Sequence, residues 1–160
     1  MTIDPELTIR SATAEDAAAI FSITRASVAG LAVNHYSPQQ ISGWMGDRTP
    51  ESYLEGASSG RIKIAELSGR AVGYVDAIPG EITRLFLLPE FSGRGIGKRL
   101  IDVGIEMARV GHSGPLRVEA TRNAEAFYEH SGFRRVRAGV FAGRGGEWPP
   151  IETVIMSREA

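Results

Sequence analysis

The sequence predicts an α+β or α/β protein with a mixed sheet. Several segments alternate apolar and polar residues as half-buried strands do, and others repeat apolar residues at the period of a helix. Along the chain these segments follow the order strand, helix, helix, three strands, helix, strand, helix and two strands. The 160 residues contain no internal repeat and no low-complexity linker, so we expect residues 1–160 to form a single domain.

A strand and two helices are predicted in the first third of the chain. Residues 7–10 have a strand pattern, and residues 13–16 resemble a capping box that opens a helix with an apolar stripe. The Ser-Pro pair at residues 37–38 supplies an N-cap and a first-turn proline for a short helix that extends to about Met45. Residues 46–60 are rich in turn formers, and we expect one or two further helical turns there.

Three antiparallel strands follow as a meander. Residues 61–67 alternate apolar and polar, and a tight turn at residues 68–70 leads into a second strand at residues 71–78. A Pro-Gly pair at residues 79–80 then turns the chain into a third strand at residues 81–88, which Pro89 ends. Because successive strand side chains point to opposite faces, four side chains are expected on one face of this strand: Glu81, Thr83, Leu85 and Leu87.

The second half of the chain alternates helices and strands. A glycine-rich turn leads into a helix of about four turns, with an apolar stripe between residues 97 and 108. The elements predicted after it are a strand at residues 116–120, a helix at residues 123–131 with Gly132 as its C-cap, and strands at residues 133–141 and 151–157. The last strand is expected at an edge of the sheet, where it would allow pairing across a homodimer.

Composition and charge exclude several classes of function. The formal net charge is -1, so no general attraction to nucleic acid or to an acidic membrane surface is expected. The chain has no cysteine, which excludes a disulfide framework, a thiolate metal site and a cysteine nucleophile, and we expect no metal. The acidic N-terminus lacks a signal core, and no apolar stretch reaches the roughly 20 residues that span a bilayer. We therefore expect a cytoplasmic protein.

The glycine-rich turn at residues 93–99 has two interpretations. The N–H groups at a helix N-terminus attract anions, and glycines let a ligand approach them closely. With Arg94, Lys98 and Arg99 nearby, the turn fits a phosphate or pyrophosphate group. Alternatively, the glycines only shape the turn and the cations only solubilise it. The spacing matches neither the P-loop nor the dinucleotide-binding fingerprint.

Two segments resemble the motifs of a known family. LFLLPEFSGRGIGKRLID, at residues 85–102, resembles motif A of the GNAT superfamily of acyl-CoA-dependent N-acyltransferases, and NAEAFYEHSGF, at residues 123–133, resembles its motif B. The resemblance implies a three-layer α/β/α fold of the α+β class. Its mixed, mostly antiparallel sheet has about seven strands, splays between strands 4 and 5, and is flanked by about four helices. Ser92 departs from the usual Gln or Arg, and Thr121 stands where motif B often has Asn.

The resemblance implies that acetyl-CoA is a co-substrate. In the family, the pantetheine arm runs beside the strand before motif A, in the cleft where two parallel strands splay apart. The pyrophosphate sits on the backbone amides of the glycine-rich turn. The cofactor-binding residues implied for this sequence are Leu85, Phe86, Leu87, Gly93, Arg94, Gly95, Ile96, Gly97, Lys98 and Asn123.

The resemblance also implies three catalytic candidates. Tyr128 matches the tyrosine that protonates the leaving thiolate, and a phenol with an ordinary pKa of about 10 is protonated at neutral pH. The alternative for Tyr128 is packing on the inward side of a short helix. Glu81 and Glu119 stand where different family members carry a catalytic glutamate, while many relatives use ordered water. The alternative for both glutamates is a solvated or salt-bridged residue.

The implied function is transfer of an acetyl group from acetyl-CoA to a primary amine of a small molecule or peptide, by direct attack in a ternary complex. The alternative is a non-catalytic acyl-CoA-binding or sensing domain, which the departures at Ser92 and Thr121 favour. Acceptor contacts are expected from the N-terminal helices, from residues 34–36, from Trp44 and Trp148, and from residues 143–150.

Overall fold

The centre of the protein is a seven-stranded sheet, and the computed structural model describes residues 6–31, 34–141 and 149–160. The strands are β1 (Leu7–Ser11), β2 (Ile62–Leu67), β3 (Arg70–Ile78), β4 (Glu81–Leu87), β5 (Leu116–Thr121), β6 (Arg134–Phe141) and β7 (Ile151–Arg158). They lie in the order β1-β2-β3-β4-β5-β7-β6, with β4 and β5 parallel and the other neighbours antiparallel. The predicted mixed, mostly antiparallel sheet is confirmed.

Five α-helices flank the sheet within the described residues: α1 (Ala17–Leu31), α2 (Pro38–Met45), α3 (Leu54–Ser58), α4 (Ile96–Arg109) and α5 (Glu125–His130). The sequence predicts about four. The additional helix is the short α3, which follows a 3-10 turn in the segment where one or two helical turns are expected. None of the described helices is long and apolar enough to cross a membrane.

Helices cover both faces of the sheet and create the three layers. On β3, the neighbours Tyr74 and Val75 point to opposite faces. The buried hydroxyls of Tyr74 and Thr24, which belongs to α1, share a hydrogen bond of 2.6 Å. Val75 faces α4, where a Cβ on Gly104 would lie only 2.8 Å from Val75 Cγ2. The glycine therefore lets α4 approach the sheet closely.

Capping residues determine where the first two helical segments begin. At α2, Gln40 N–H donates to Ser37 Oγ at 3.1 Å, and Ser37 N–H donates to Gln40 Oε1 at 2.9 Å. Pro38 occupies the first turn, where its missing N–H costs no helical hydrogen bond. Ahead of α1, Thr13 N–H donates to Asp16 Oδ2 at 2.7 Å. Both predicted helix starts are confirmed.

β4 and β5 pair only at their beginnings and then diverge. Their register contains two pairs, Glu81 with Arg117 and Ile82 with Val118, although both strands continue for several residues. The predicted splay between strands 4 and 5 is therefore confirmed. In the described sheet, it leaves the backbone groups at the end of β4 without a neighbouring strand on the side of β5.

A β-bulge in β4 corrects the predicted face of Glu81. Ile82 and Arg84 pair with consecutive residues of β3, so Thr83 between them is an extra residue. As a result, Ile82 and Leu87 both lie on the α4 side of the sheet, although they are five positions apart and regular alternation would place them on opposite faces. Glu81 therefore faces away from Leu87. The prediction that they share a face was wrong because side-chain alternation does not continue through a bulge.

β7 corrects the predicted edge of the sheet. It lies between β5 and β6 and pairs with both, so the prediction that residues 151–157 form an edge strand was wrong. Val154, Ile155 and Met156 are all buried, as is typical of an interior strand covered on both faces. The chain passes from β5 to the edge strand β6 and then returns to fill the space between them.

Candidate functional site

The splay between β4 and β5 opens a cavity of about 450 Å³ beside the N-terminus of α4. Eight of the ten predicted cofactor-binding residues line it: Leu85, Phe86, Leu87, Gly93, Gly95, Gly97, Lys98 and Asn123. The side chains of the other two do not. Ile96 is buried in the core, and the exposed Arg94 guanidinium lies 5.3 Å from the centre of the Phe91 ring.

The glycine-rich turn makes this end of the cavity attractive to anions. Gly93 and Gly95 have left-handed backbone angles, with φ of 77° and 82°, which residues with a side chain rarely adopt. Gly95 is the N-cap of α4, so the first unpaired N–H groups of a 14-residue helix begin at the cavity wall. The first turn of the helix has no acidic residue and includes Lys98. The helix end and the lysine therefore add their positive charges.

Ser92 and Lys98 both have local partners. Ser92 Oγ donates a 2.8 Å hydrogen bond to the Pro89 carbonyl and closes the 3-10 turn before α4. Ser92 thus has a structural role at the position where the GNAT motif usually has a longer polar side chain. Lys98 Nζ lies 2.7 and 2.8 Å from the two carboxylate oxygens of Asp102. An exposed pair of this kind is worth at most about 1 kcal/mol, so a bound anion can compete for the lysine.

Asn123 lines the same cavity and has a buried acceptor atom. Its Oδ1 atom has no hydrogen-bond partner among the described residues, and its side chain lines the cavity wall. A buried oxygen without a donor is destabilising, and a ligand amide N–H would satisfy it. Thr121, the other candidate for this contact in motif B, lines the cavity as well.

A second cavity, of about 290 Å³, adjoins the first. The two share six lining residues: Trp44, Leu85, Phe86, Thr121, Ala124 and Tyr128. The remaining lining of the second cavity includes Glu81 and Glu119. All three predicted catalytic residues therefore surround one cavity, although they come from β4, β5 and α5.

Tyr128 lines both cavities and is buried, with 5% of its surface exposed. Its ring packs edge-on against Phe127 and Phe133, with ring centres 5.1 and 5.7 Å away. Burial raises the pKa of the Tyr128 phenol above its ordinary value, so the group keeps its proton at neutral pH. The Tyr128 ring therefore packs against its neighbours, as the alternative interpretation expects. The same residue also lines the cavities with its hydroxyl group protonated.

Arg117 lies between the two predicted glutamates. Its Nη1 donates to Glu81 Oε2 at 2.8 Å, and its Nη2 lies 3.8 Å from Glu119 Oε1. Glu119 Oε2 accepts a hydrogen bond of 2.6 Å from Thr153 Oγ1. Glu81 is therefore in a close ion pair, whereas one oxygen of Glu119 is beyond hydrogen-bonding distance of Arg117. In the described part of the chain, no group of three or more acidic or histidine side chains is placed to hold a metal ion.

Two arginines that were not predicted from the sequence, Arg48 and Arg84, line the second cavity. Both contact the buried side chain of Tyr53: Arg48 Nη1 donates to its hydroxyl at 3.2 Å, and the Arg84 guanidinium lies 5.5 Å from its ring centre. The sequence offers one signal for Arg84, the only cation in the strand β4. Arg48 lies in the turn-rich segment, where no periodicity indicates which way a side chain points.

The residues predicted to contact the acceptor are only partly brought together. Trp44 lines both cavities, whereas residues 34–35 are exposed. Tyr36 is buried, and its hydroxyl is hydrogen-bonded to two backbone groups of other segments. Trp148 and the neighbouring residues 143–147 lie outside the described residues.

Sequence comparison connects the chain to acetyltransferases. A family model described as an acetyltransferase (GNAT) domain matches residues 32–152. The chain is also 32% identical over 112 residues to YafP, an uncharacterized N-acetyltransferase of Escherichia coli (strain K12). That match covers 69% of this chain and 70% of YafP.

Solved structures of N-acetyltransferases have the same fold. The crystal structure of a GCN5-related N-acetyltransferase from Rhodopseudomonas palustris has a TM-score of 0.89 at 27% identity, over 100% of this chain and 99% of that one. The PaiA N-acetyltransferase from Thermoplasma acidophilum, in complex with coenzyme A, has a TM-score of 0.69 at 23% identity, over 96% and 99%. With the family-model match and the Escherichia coli relative, these findings show that the chain belongs to the GNAT acetyltransferase family and is an acyltransferase.

Proposed function

We propose that the protein transfers an acetyl group from acetyl-CoA to a primary amine of a small molecule or peptide, by direct attack in a ternary complex. The observation that carries the proposal is the position of Tyr128, which lines both the cavity beside α4 and the adjoining cavity that contains the glutamates. A thioester in the first cavity and an amine in the second meet at this residue. In this proposal residues 1–160 act as one acetyltransferase domain in the cytoplasm.

Three features of the larger cavity fit acetyl-CoA. The N-terminus of α4, with Lys98, suits a pyrophosphate. The end of β4 offers backbone groups to the amides of the pantetheine arm, and the buried Asn123 Oδ1 needs a donor. When bound, acetyl-CoA supplies the acetyl group as a thioester with a thiolate leaving group. The similar fold of the PaiA N-acetyltransferase holds coenzyme A, which supports this choice of ligand.

A glutamate accepts one proton in the proposed reaction, and Tyr128 donates another. The amine nitrogen forms a bond to the acetyl carbon while the carbon–sulfur bond breaks. The glutamate accepts the proton that the amine loses, and the Tyr128 hydroxyl gives a proton to the departing thiolate. Return of a proton to the tyrosinate and loss of one from the glutamate restore the site, so amine and thioester become amide and thiol. The raised pKa of Tyr128 keeps its proton in place until the thiolate forms.

Glu119 is the general base in this proposal. Glu81 Oε2 is bound by Arg117 at 2.8 Å, whereas Glu119 Oε1 lies 3.8 Å from the same guanidinium. Thr153 orients the other oxygen of Glu119 through its 2.6 Å hydrogen bond. One oxygen of Glu119 therefore keeps a lone pair for the proton of the amine. Glu81 acts as a positioning residue that holds Arg117 away from this oxygen.

The test measures cofactor binding and turnover together. Purified protein is incubated with acetyl-CoA and a panel of primary amines, free CoA is detected with a thiol reagent, and the acetylated product is identified by mass spectrometry. We expect acetyl-CoA to raise the melting temperature and at least one amine to release CoA. Stabilisation by acetyl-CoA with no turnover of any amine supports the non-catalytic acyl-CoA-binding domain instead. Neither stabilisation nor turnover contradicts both functions.

A further inference from the structure

The positive charge of Arg84 is only partly balanced at the smaller cavity. Its Nη1 lies 3.8 Å from Asp76 Oδ2, while Arg61 Nε lies closer to the same carboxylate, at 3.1 Å from Oδ1. The Asp76 side chain is fully buried, and two partly exposed guanidinium groups share this one carboxylate. Arg84 lines the cavity and carries the less closely paired of the two charges.

Arg48 adds a second positive charge to the same cavity. Its Nη1 donates to the neutral hydroxyl of Tyr53 at 3.2 Å. Its Nε atom is buried and has no hydrogen-bond partner among the described residues. A buried donor without an acceptor is costly, and a shift of the Arg48 side chain toward a ligand oxygen in the cavity would satisfy it. Arg48 and Arg84 together therefore form a site for an anionic group.

The cavity also contains a negative centre. Glu81 and Glu119 line it, and the Arg117 guanidinium lies 2.8 Å from Glu81 Oε2 but 3.8 Å from Glu119 Oε1. Apolar surface from Trp44 and Phe86 completes part of the wall. One cavity of about 290 Å³ therefore offers a loosely paired carboxylate, two under-paired guanidinium groups and an apolar surface.

We propose that the acceptor is a small primary amine that also carries a carboxylate. The amine end lies at Glu119 and Tyr128, and the carboxylate lies at Arg48 and Arg84, whose planar guanidinium groups match the geometry of a carboxylate. The volume of the cavity suits a small molecule of this kind. This inference rests on the proposed function, because the amine must reach the residues that move its proton.

Kinetics with matched amines tests the inference. Each set contains an amino acid, its carboxamide and the amine that remains after decarboxylation, so the carbon skeleton is constant. We expect kcat/KM to be about tenfold or more higher for the amino acid, mainly through KM, as one charge-assisted hydrogen bond would produce. Equal or higher kcat/KM for the carboxamides overturns the inference but leaves the acetyltransferase function intact.

A binding measurement separates this inference from the proposed function. Calorimetry compares the amino acid and its carboxamide on protein saturated with CoA, where acetyl transfer cannot occur. Tighter binding of the amino acid supports the carboxylate site even if the turnover assay gives no product. Equal affinity of the two compounds overturns it.

Two substitutions and a matched control assign the site to its residues. Arg48→Gln and Arg84→Gln are each expected to bring the amino-acid-to-carboxamide ratios of kcat/KM and Kd close to 1. Arg134→Gln removes an exposed cation from β6, outside the lining of both cavities, and is expected to keep the ratios. Arg84 neighbours the buried Asp76, so Arg48→Gln serves as the decisive variant if Arg84→Gln is unstable. Unchanged ratios in Arg48→Gln overturn the assignment.

Discussion

Arg117 and Glu81 are joined twice at the point where β4 and β5 begin to separate. They are register partners in the parallel pairing, and Arg117 Nη1 donates to Glu81 Oε2 at 2.8 Å. Both side chains are partly exposed, so the pair contributes little to stability. The pair holds the guanidinium close to Glu81 and leaves its nearest approach to Glu119 Oε1 at 3.8 Å, beyond hydrogen-bonding distance.

This arrangement predicts unequal effects for the two glutamates. Glu119→Gln is expected to lower kcat by about 100-fold or more, because a general base contributes roughly 10²–10⁴-fold. Glu81→Gln is expected to cost about tenfold or less, since Glu81 acts through Arg117. Steady-state kinetics of both variants with the same amine checks this prediction. A larger loss of kcat in Glu81→Gln would transfer the base role to Glu81.

Tyr128→Phe separates catalysis from packing. The ring that packs against Phe127 and Phe133 remains, so we expect an unchanged Kd for acetyl-CoA and a similar melting temperature. Loss of the proton donor is expected to lower kcat by about 100-fold. Because burial raises the pKa of Tyr128, ionisation of this group should not reduce kcat below about pH 10. Unchanged kcat in the variant would leave Tyr128 with packing alone.

The parts of the fold that depend on residues adjacent in the sequence, such as turns and helix caps, were predictable from the sequence. The turn between β2 and β3 requires two residues with positive φ, and Ser68 and Gly69 have φ of 52° and 83°. Ser37 and Pro38 specify the start of α2 through a cap and a fixed φ. The glycines before α4 are likewise local signals, and they indicated one end of the candidate site.

The remaining features depend on contacts between distant segments. The bulge at Thr83 follows from the pairing of β4 with β3, and it reversed the predicted face of Glu81. The insertion of β7 between β5 and β6 is a choice of partner that strand patterns do not reveal. Arg48 reaches the cavity because the segment between α2 and α3 packs there, and no repeat in the sequence indicates that packing.

Gly93 and Gly111 allow a matched test of the anion site. Both have left-handed φ angles, 77° and 70°, and at both positions a Cβ would meet no described atom within 4 Å. Alanine should therefore cost a similar backbone strain, about 1 kcal/mol, at either site. Gly93→Ala is expected to weaken CoA binding by about tenfold, because the amides at the cavity wall shift and one charge-assisted hydrogen bond is lost. Gly111→Ala is expected to lower stability without changing the affinity for CoA. Equal CoA affinity of the two variants in calorimetry would contradict the anion site at Gly93.

Asp16 and Asp76 are expected to affect stability with opposite dependence on pH. Arg10 donates hydrogen bonds of 2.8 and 2.9 Å to Asp16 and lowers the pKa of this carboxyl. Burial raises the pKa of Asp76, although Arg61 and Arg84 oppose the shift. The contribution of Asp16 is therefore present above its ordinary pKa of 3.8 and is lost as pH falls through the lowered pKa. The contribution of Asp76 is present below 3.8 and is lost as pH rises through the raised pKa.

Urea unfolding across the acidic and neutral range tests these opposite signs. The free energy of unfolding is measured for the natural protein, Asp16→Asn and Asp76→Asn at each pH. We expect the advantage of the natural protein over Asp16→Asn to grow as pH rises, because the ionised carboxylate is the form that Arg10 stabilises. Its advantage over Asp76→Asn should shrink over the same rise, because the buried group then has to ionise. Parallel pH profiles for the two variants would contradict the assignment of hydrogen bonding as the dominant cause at Asp16 and desolvation at Asp76.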